Sequence, residues 1–346
     1  GMNSTYDDNI YDQTAAVLGN PAGPANTPAG AGTPTINTGT LGIDLAQSLQ
    51  SLTLSMKANE EHTFGASLVV GIQRFSARGL GNFHCFTTSA AINNPVDCAP
   101  GGQQGAAPGF IPSPSLTDNG SDWSYGAGVR LGWIGDVTPN LTLGASVASK
   151  VYMTEFDDYS ELFAEQGDLD IPANFALSAT FKATPKTKVS FDYQRILYEG
   201  VNSIANPGPI FVPPPAPNAG PNPPCGSAAC LLGTDAGMGF GWEDVDIYRL
   251  AVEHAHNSQW TYRAGIAYNT QPIDQSQVLF NILAPAVVQK HATVGFTYKP
   301  TGNSEWNFAY MHALEEKVST QLSAFGLPAS TQMFQNSIDL SYSRQF

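Results

Sequence analysis

Every second connection in this chain is long, and the segments between connections alternate apolar with polar residues. Alternating segments recur near 45–57, 62–78, 122–135, 140–157, 168–183, 187–201, 244–255, 259–270, 289–299, 305–319 and 333–346, about eleven in all. In a strand, successive side chains point to opposite faces, so alternation makes one apolar and one polar face. Leu52, Leu54 and Met56 oppose Ser51, Thr53 and Ser55; Trp123, Tyr125, Val129 and Leu131 oppose Ser124, Gly126, Gly128 and Arg130. Tight turns at Asn59-Glu60-Glu61, Asp136-Val137-Thr138-Pro139, Thr184-Pro185-Lys186, His256-Asn257-Ser258 and Thr301-Gly302-Asn303 alternate with stretches near 79–121, 158–167, 202–243, 271–288 and 320–332. A soluble sandwich or propeller has no reason to keep alternate connections long. A barrel crossing the bacterial outer membrane does: its periplasmic turns are short and its outer loops long. The fold expected is therefore all-β, a transmembrane antiparallel up-and-down barrel over 41–346, preceded by an irregular Gly-, Pro- and Ala-rich stretch at 1–40.

Composition agrees. Only 13% of the 346 residues are charged, about half the share in a soluble domain. No run of about 18 apolar residues offers a membrane helix. The net charge of −14 argues against nucleic acid, which needs clustered Lys and Arg. The four cysteines allow three connectivities, and their spacing favours the local pairs Cys85 with Cys98 and Cys225 with Cys230. Disulfides in loops fit an oxidising compartment. Aromatic residues such as Trp123, Trp133, Tyr152, Trp260, Tyr262, Trp306 and Tyr342 stand near strand ends, where membrane-interface girdles form. The chain ends on Phe346 after an amphipathic strand, like the assembly signal of outer-membrane barrels. The expected location is the outer membrane of a Gram-negative bacterium, with membrane lipid and lipopolysaccharide as neighbours; Arg74 and Arg78 near the outer rim are candidates for lipopolysaccharide phosphates.

The six histidines fall at no metal-ligand spacing, and no Gly-x-Ser-x-Gly elbow occurs. No enzyme, cofactor or metal is expected. The acidic group Glu155, Asp157, Asp158 and Glu161 reads as a solvated rim.

Several segments resemble the FadL-type family of outer-membrane transporters for fatty acids and aromatic hydrocarbons. They are Ser149–Phe156, Leu162–Ala173 (LFAEQGDLDIPA), Gly239–Asp244 (GFGWED), Trp260–Gly265 and Val278–Pro285 (VLFNILAP). The resemblance implies a fourteen-stranded barrel plugged by an N-terminal hatch, with a ligand entry groove between outer loops and a binding pocket in the lumen. Eleven strands would be the last eleven of fourteen. An even strand count with periplasmic termini leads to the same expectation, that the chain starts partway through a longer protein. Asn20-Pro21-Ala22-Gly23 resembles the hatch motif, but it lies too close to the first strand to hold a hatch and three strands, and is read as coincidence.

The function implied is passive transport of hydrophobic molecules, foremost long-chain fatty acids, by a monomer. The alternatives are a diffusion porin for small polar solutes and a surface adhesin or receptor. For the entry groove the candidates are Phe83, Phe86, Phe110 and Ile111 with Leu162 and Phe163; the competing reading is that these side chains pack on themselves. Alternation puts Arg130, Lys150, Asp192, Gln194, Arg249, Glu253 and Arg263 on the lumen face, where charge is tolerated. Arg249, Glu253 and Arg263 are expected to form a charge network with Asp192, and Arg249 with Arg263 is the favoured pair for a ligand carboxylate. Pro172 interrupts a strand and predicts a kink or an end of pairing.

Overall fold

The computed structural model describes residues 2–5, 42–96, 98, 109–212, 220–278, 280–323 and 328–344. Eleven long strands follow one another as antiparallel neighbours: β1 (Gly42–Lys57), β2 (His62–Arg78), β3 (Asp122–Thr138), β4 (Leu141–Ala148), β5 (Asn174–Thr184), β6 (Thr187–Ile196), β7 (Val245–Ala255), β8 (Trp260–Asn269), β9 (Lys290–Thr301), β10 (Ser304–Thr320) and β11 (Ala329–Arg344). Met2–Thr5 pairs with the start of β1, so part of the 1–40 stretch read as irregular is strand. Its Asn20–Gly23 motif lies outside the described residues. Among the described residues the sheet is an open meander, with Met2–Thr5 and β11 at its edges.

Turn chemistry fixes the short side. The Asn59 side chain accepts from the amides of Glu61 and His62, and Asn257 does the same for Gln259 and Trp260. Both use the local Asx hydrogen bond that lets an asparagine turn the chain. Because strand register has period two, each turn sets which residues face outward over the whole strand. The outward face carries Phe191, Leu250 and Ile266 in one cross-strand row and Leu68, Val129 and Leu131 elsewhere, all substantially exposed. Near the short turns, Trp260 stacks on Tyr298 with centroids 4.4 Å apart and Trp306 lies 4.7 Å from Tyr342. These are the rows expected to meet lipid and its interface.

The buried core lies instead beneath the long loops. Phe75, from the inner face of β2, sits 4.9 Å from both Tyr159 and Phe163 and 5.6 Å from Phe156. Tyr159 is fully buried; its hydroxyl donates to the Gly120 carbonyl at 2.6 Å and accepts from the Ala77 amide. Phe83, Phe86, Leu116, Leu232 and Phe280 belong to the same cluster.

Three expected strands are shorter than their alternation: 187–201 pairs only to Ile196, where the chain turns away at Tyr198–Gly200, and the other two meet at a bulge. The segment 140–157 pairs as β4 only to Ala148, then reappears as Tyr152–Met153 on β3. From Arg130 to Gly126 is four steps on β3, and from Ala148 to Met153 five on the other chain segment. One residue is therefore extra, a bulge that reverses facing. Gly126 allows the close approach, since a Cβ there would lie 2.3 Å from the Tyr152 carbonyl. Opposite it, β5 begins at Asn174 rather than near 168, with one more bridge at Val151–Ile171. Pro172 stands in the gap between, as an end of pairing.

Placing charge on the outward face separates a lipid-facing row from a lumen-facing one. Leu250→Arg is expected to lower stability in lipid bilayers by about 2–4 kcal/mol, while Ser190→Arg, on the opposite face, costs well under half of that. Reversible denaturant unfolding of the two variants in the same bilayer checks this; equal losses would contradict the facing.

Candidate functional site

The outer loops and the inner faces of β1, β2, β5 and β6 enclose a cavity of about 480 Å³. Ile43 and Leu45 line one side and Phe75 and Phe163 the next. Tyr198, Phe240 and Trp242 line it too, with Leu169 to Pro172. Three of the motif segments of the sequence therefore converge here: Leu162–Ala173, Gly239–Asp244 and Val278–Pro285 each contribute to this wall or its support.

The support is polar and directional. Asn281 is fully buried; its amide nitrogen donates to the carbonyls of Phe240 (2.6 Å) and Gln277 (2.9 Å), and its oxygen accepts from the Trp242 indole at 2.5 Å. Trp242 meets Tyr198 edge-on at 5.0 Å. On the other side, Glu165 and Gln166 hold left-handed backbone angles (φ 56° and 59°), a conformation that costs non-glycine residues of order 1–3 kcal/mol. Their amides are held by the carbonyls of Thr234 and Gly233, which stabilises the turn that delivers Leu169 and Asp170 to the cavity.

One acidic side chain lines the cavity. Asp170, 5% exposed, accepts from the Met153 amide at 2.7 Å and lies 3.1 Å from the Lys150 ammonium. Its neighbour Asp168 is the counterpart: burial, then the charge of Asp170, push its carboxyl up to about 7. Asp168 Oδ1 is enclosed without a hydrogen-bond partner, an environment that favours the neutral carboxyl. In the neighbouring loops burial lowers the His84 pKa, whose Nδ1 accepts from the Ser113 amide.

The expected groove residues fare differently from that expectation. Phe83, Phe86, Leu162 and Phe163 are all at most 4% exposed; they pack into the loop core, because six or more rings and leucines gain more by covering one another than by facing water. Phe163 alone of them also lines the cavity. Phe110 rests on His84 at 5.9 Å, and Ile111 is exposed. The sulfurs of Cys85 and Cys98, and of Cys225 and Cys230, are bonded, each pair closing a short stretch of a long loop.

The lumen charges separate into groups. Glu253 joins Arg263 (2.8 Å) and Lys188 (3.4 Å), and Arg263 also donates to Thr297. Asp192 does not join them: it faces Arg249 across the ladder, yet Arg249 donates to Gln194 at 2.9 Å. Asp192, Arg249 and Arg263 do line one second cavity of about 400 Å³ with Asp339. The side chain of Arg130, on the inner face, has no ion pair or hydrogen bond among the described residues. Lys150 stands apart from these groups, with its ammonium on the cavity-lining Asp170. The bulge after Ala148 reverses its facing, and its ammonium sits 5.5 Å from the ring of outward Tyr152. Arg74 is held by Asp44 at 2.9 Å rather than free at the rim, while Arg78 is exposed. Glu161, read as part of a solvated rim, instead accepts from Ser89 and Ser113 inside the loop core. No metal-ligand group occurs among the described residues.

The acid pair makes the loop pH-sensitive. The native state keeps the Asp168 proton up to about 7, whereas the opened segment releases it near 3.8. Closure thus loses free energy as pH rises through that window and is level above it. Amide protection of 164–170, corrected for intrinsic exchange, is expected to fall between pH 5 and 7 (about that range) and then level off. Asp168→Asn should flatten the profile; a slope surviving in the variant would assign it elsewhere.

A profile of the family described as outer membrane protein transport protein (OMPP1/FadL/TodX) matches residues 43–340. No curated protein matches the chain. Among solved structures, the fold is similar to the Pseudomonas putida toluene transporter TodX, at 17% identity and a TM-score of 0.58, covering 89% of this chain and 71% of that one. It is similar also to the Ralstonia pickettii toluene transporter TbuX (16% identity, TM-score 0.52, 88% and 69% covered). A Pseudomonas aeruginosa FadL homologue gives 15% identity and a TM-score of 0.54, over 88% and 68%. With its tight turns and motif segments inside the matched span, the chain belongs to the OMPP1/FadL/TodX family of outer membrane transport proteins.

Proposed function

We propose that this chain carries uncharged hydrophobic molecules of about the size of one or two aromatic rings across the outer membrane, holding them in the cavity between Phe75 and Trp242. The lining is the observation that supports this. It is mainly aromatic and aliphatic, with Gln47 and Asn174 as its neutral polar groups, and its one acid, Asp170, is already held by Lys150. A carboxylate entering there would meet a like charge and no free cation, while an apolar ligand loses only water. Two of the similar folds belong to proteins named as toluene transporters, which agrees with such a ligand.

A long-chain fatty acid is the second reading, favoured by one observation. Arg249 faces the lumen with only the neutral Gln194 bonded to it, so its charge is available to a carboxylate. Arg263 is already engaged by Glu253.

Equilibrium binding to the detergent-purified protein separates the two. Toluene is expected to bind, and Ile196→Glu, which places an acid in the cavity wall, to weaken it by about tenfold or more, with Arg249→Ala neutral. Palmitate binding that is lost in Arg249→Ala, without toluene binding, would replace the first reading by the second. Large conductance in a planar bilayer with neither ligand bound would turn both toward a diffusion porin.

A further inference from the structure

Asn281 touches no part of the cavity surface, yet it spends its whole side chain on the loops that form that surface. Both of its N–H groups and its oxygen are used, on Phe240, Gln277 and Trp242, and it is fully buried. Phe240 and Trp242 are cavity walls. The residue between them, Gly241, has φ +64°, and a Cβ there would lie 2.5 Å from the Gln277 side chain. The Gln277 oxygen in turn accepts from the Gly208 amide at 2.6 Å. Two long loops are thus pinned at one point, and the pin stands directly behind two aromatic walls.

The amides of Gly241 and Trp242 bond to the carbonyls of Asn206 and Ile204 and so fix the backbone. They leave the two rings to be placed by side-chain contacts, and the apolar ones are weaker in kind. Phe240 leans on Phe280 at 5.2 Å, and apolar contact is non-directional, so it permits a ring to slide with little loss. An amide with one acceptor and two donors permits one arrangement. Leucine would match its size and offer none of the three bonds; aspartate would keep the acceptor and lose both donors.

We propose that Asn281 is the positioning residue that sets the width of the hydrophobic cavity, and so decides which ligand sizes the protein accepts. This rests on the reading of that cavity as the ligand site. Asn281 acts on the ligand only through Trp242 and Phe240. Replacing it frees the two rings to part, and bulkier ligands gain relative to small ones.

The test compares toluene with 1-methylnaphthalene binding to the full chain in detergent, for the unaltered protein and for Asn281→Leu. The ratio of the two affinities is read within one preparation, so a partly unfolded sample lowers both values without moving the ratio. The expected result is a shift of about tenfold toward the bulkier ligand, accompanied by greater acrylamide quenching of Trp242. If the leucine variant fails to run as a folded, heat-modifiable band, Asn281→Asp replaces it and should shift the ratio the same way. An unchanged ratio in a folded variant overturns the proposal, even where Trp242 becomes more accessible, because Asn281 would then only brace the loops. If the unaltered chain binds neither probe, the cavity reading itself fails and this proposal falls with it. If it binds both, the two failures are distinct.

Discussion

A strand in lipid must pair its backbone amides, because no water is there to accept them. The rest of this structure follows from that requirement. Neighbour pairs with neighbour along the sequence from β1 to β11, and the Asn-built turns at Asn59 and Asn257 hold the register. With register fixed, facing is fixed, so Phe191, Leu250 and Ile266 meet lipid while Asp192, Arg249 and Arg263 meet the lumen. Apolar side chains of the wall are thereby spent on the membrane. A core of ordinary kind can form only where chain leaves the wall, which is why it lies under the long loops around Phe75 and Tyr159.

The site arises where the ladder is allowed to lapse. After Ala148 one extra residue enters β4, and Pro172 offers no amide to the strand opposite. The freed backbone groups are taken up locally: the Met153 amide by Asp170, the Val151 and Ile171 amides by each other's carbonyls. Lys150 neutralises the acid thus brought into the wall. A lapse that would be costly inside lipid becomes tolerable because side chains of the adjoining loop satisfy it. The same loop segment then supplies Leu169 to Pro172 to the cavity, next to a second acid that keeps its proton to about 7.

Polar side chains in the loops serve mainly as ties between segments far apart in sequence. Asn281 joins the loop after β8 to the loop after β6, Glu161 joins Ser89 and Ser113, and Ser203 donates to the Asp168 carbonyl. Each is buried or partly buried and its bonds are directional, so the loops have one arrangement rather than a family of apolar collapses. That matters for a transporter of apolar molecules, since its ligand offers few directional contacts of its own, and selectivity has to come from the shape of the walls.

By itself the sequence determined the strands, their order and their facing. Alternation of period two acts locally, and turn residues such as Asn59 act on the next two or three amides, so neither needs distant information. It also marked the segments that form the cavity, through Leu162–Ala173, Gly239–Asp244 and Val278–Pro285, without saying that they meet. Only the tertiary structure decided the rest. Phe83, Phe86 and Leu162 became core instead of an open groove, since partners such as Phe280 lie some 200 residues away (about that separation). Lys150 stands apart from the lumen charges because a one-residue bulge, invisible to a pattern of alternation, reversed its facing. Asp192 was left out of the charge network because Gln194, two residues on, offers Arg249 a hydrogen bond that a register map cannot rank against an ion pair. Local periodicity encodes direction; which groups meet is settled by how loops of different length fold back over one wall.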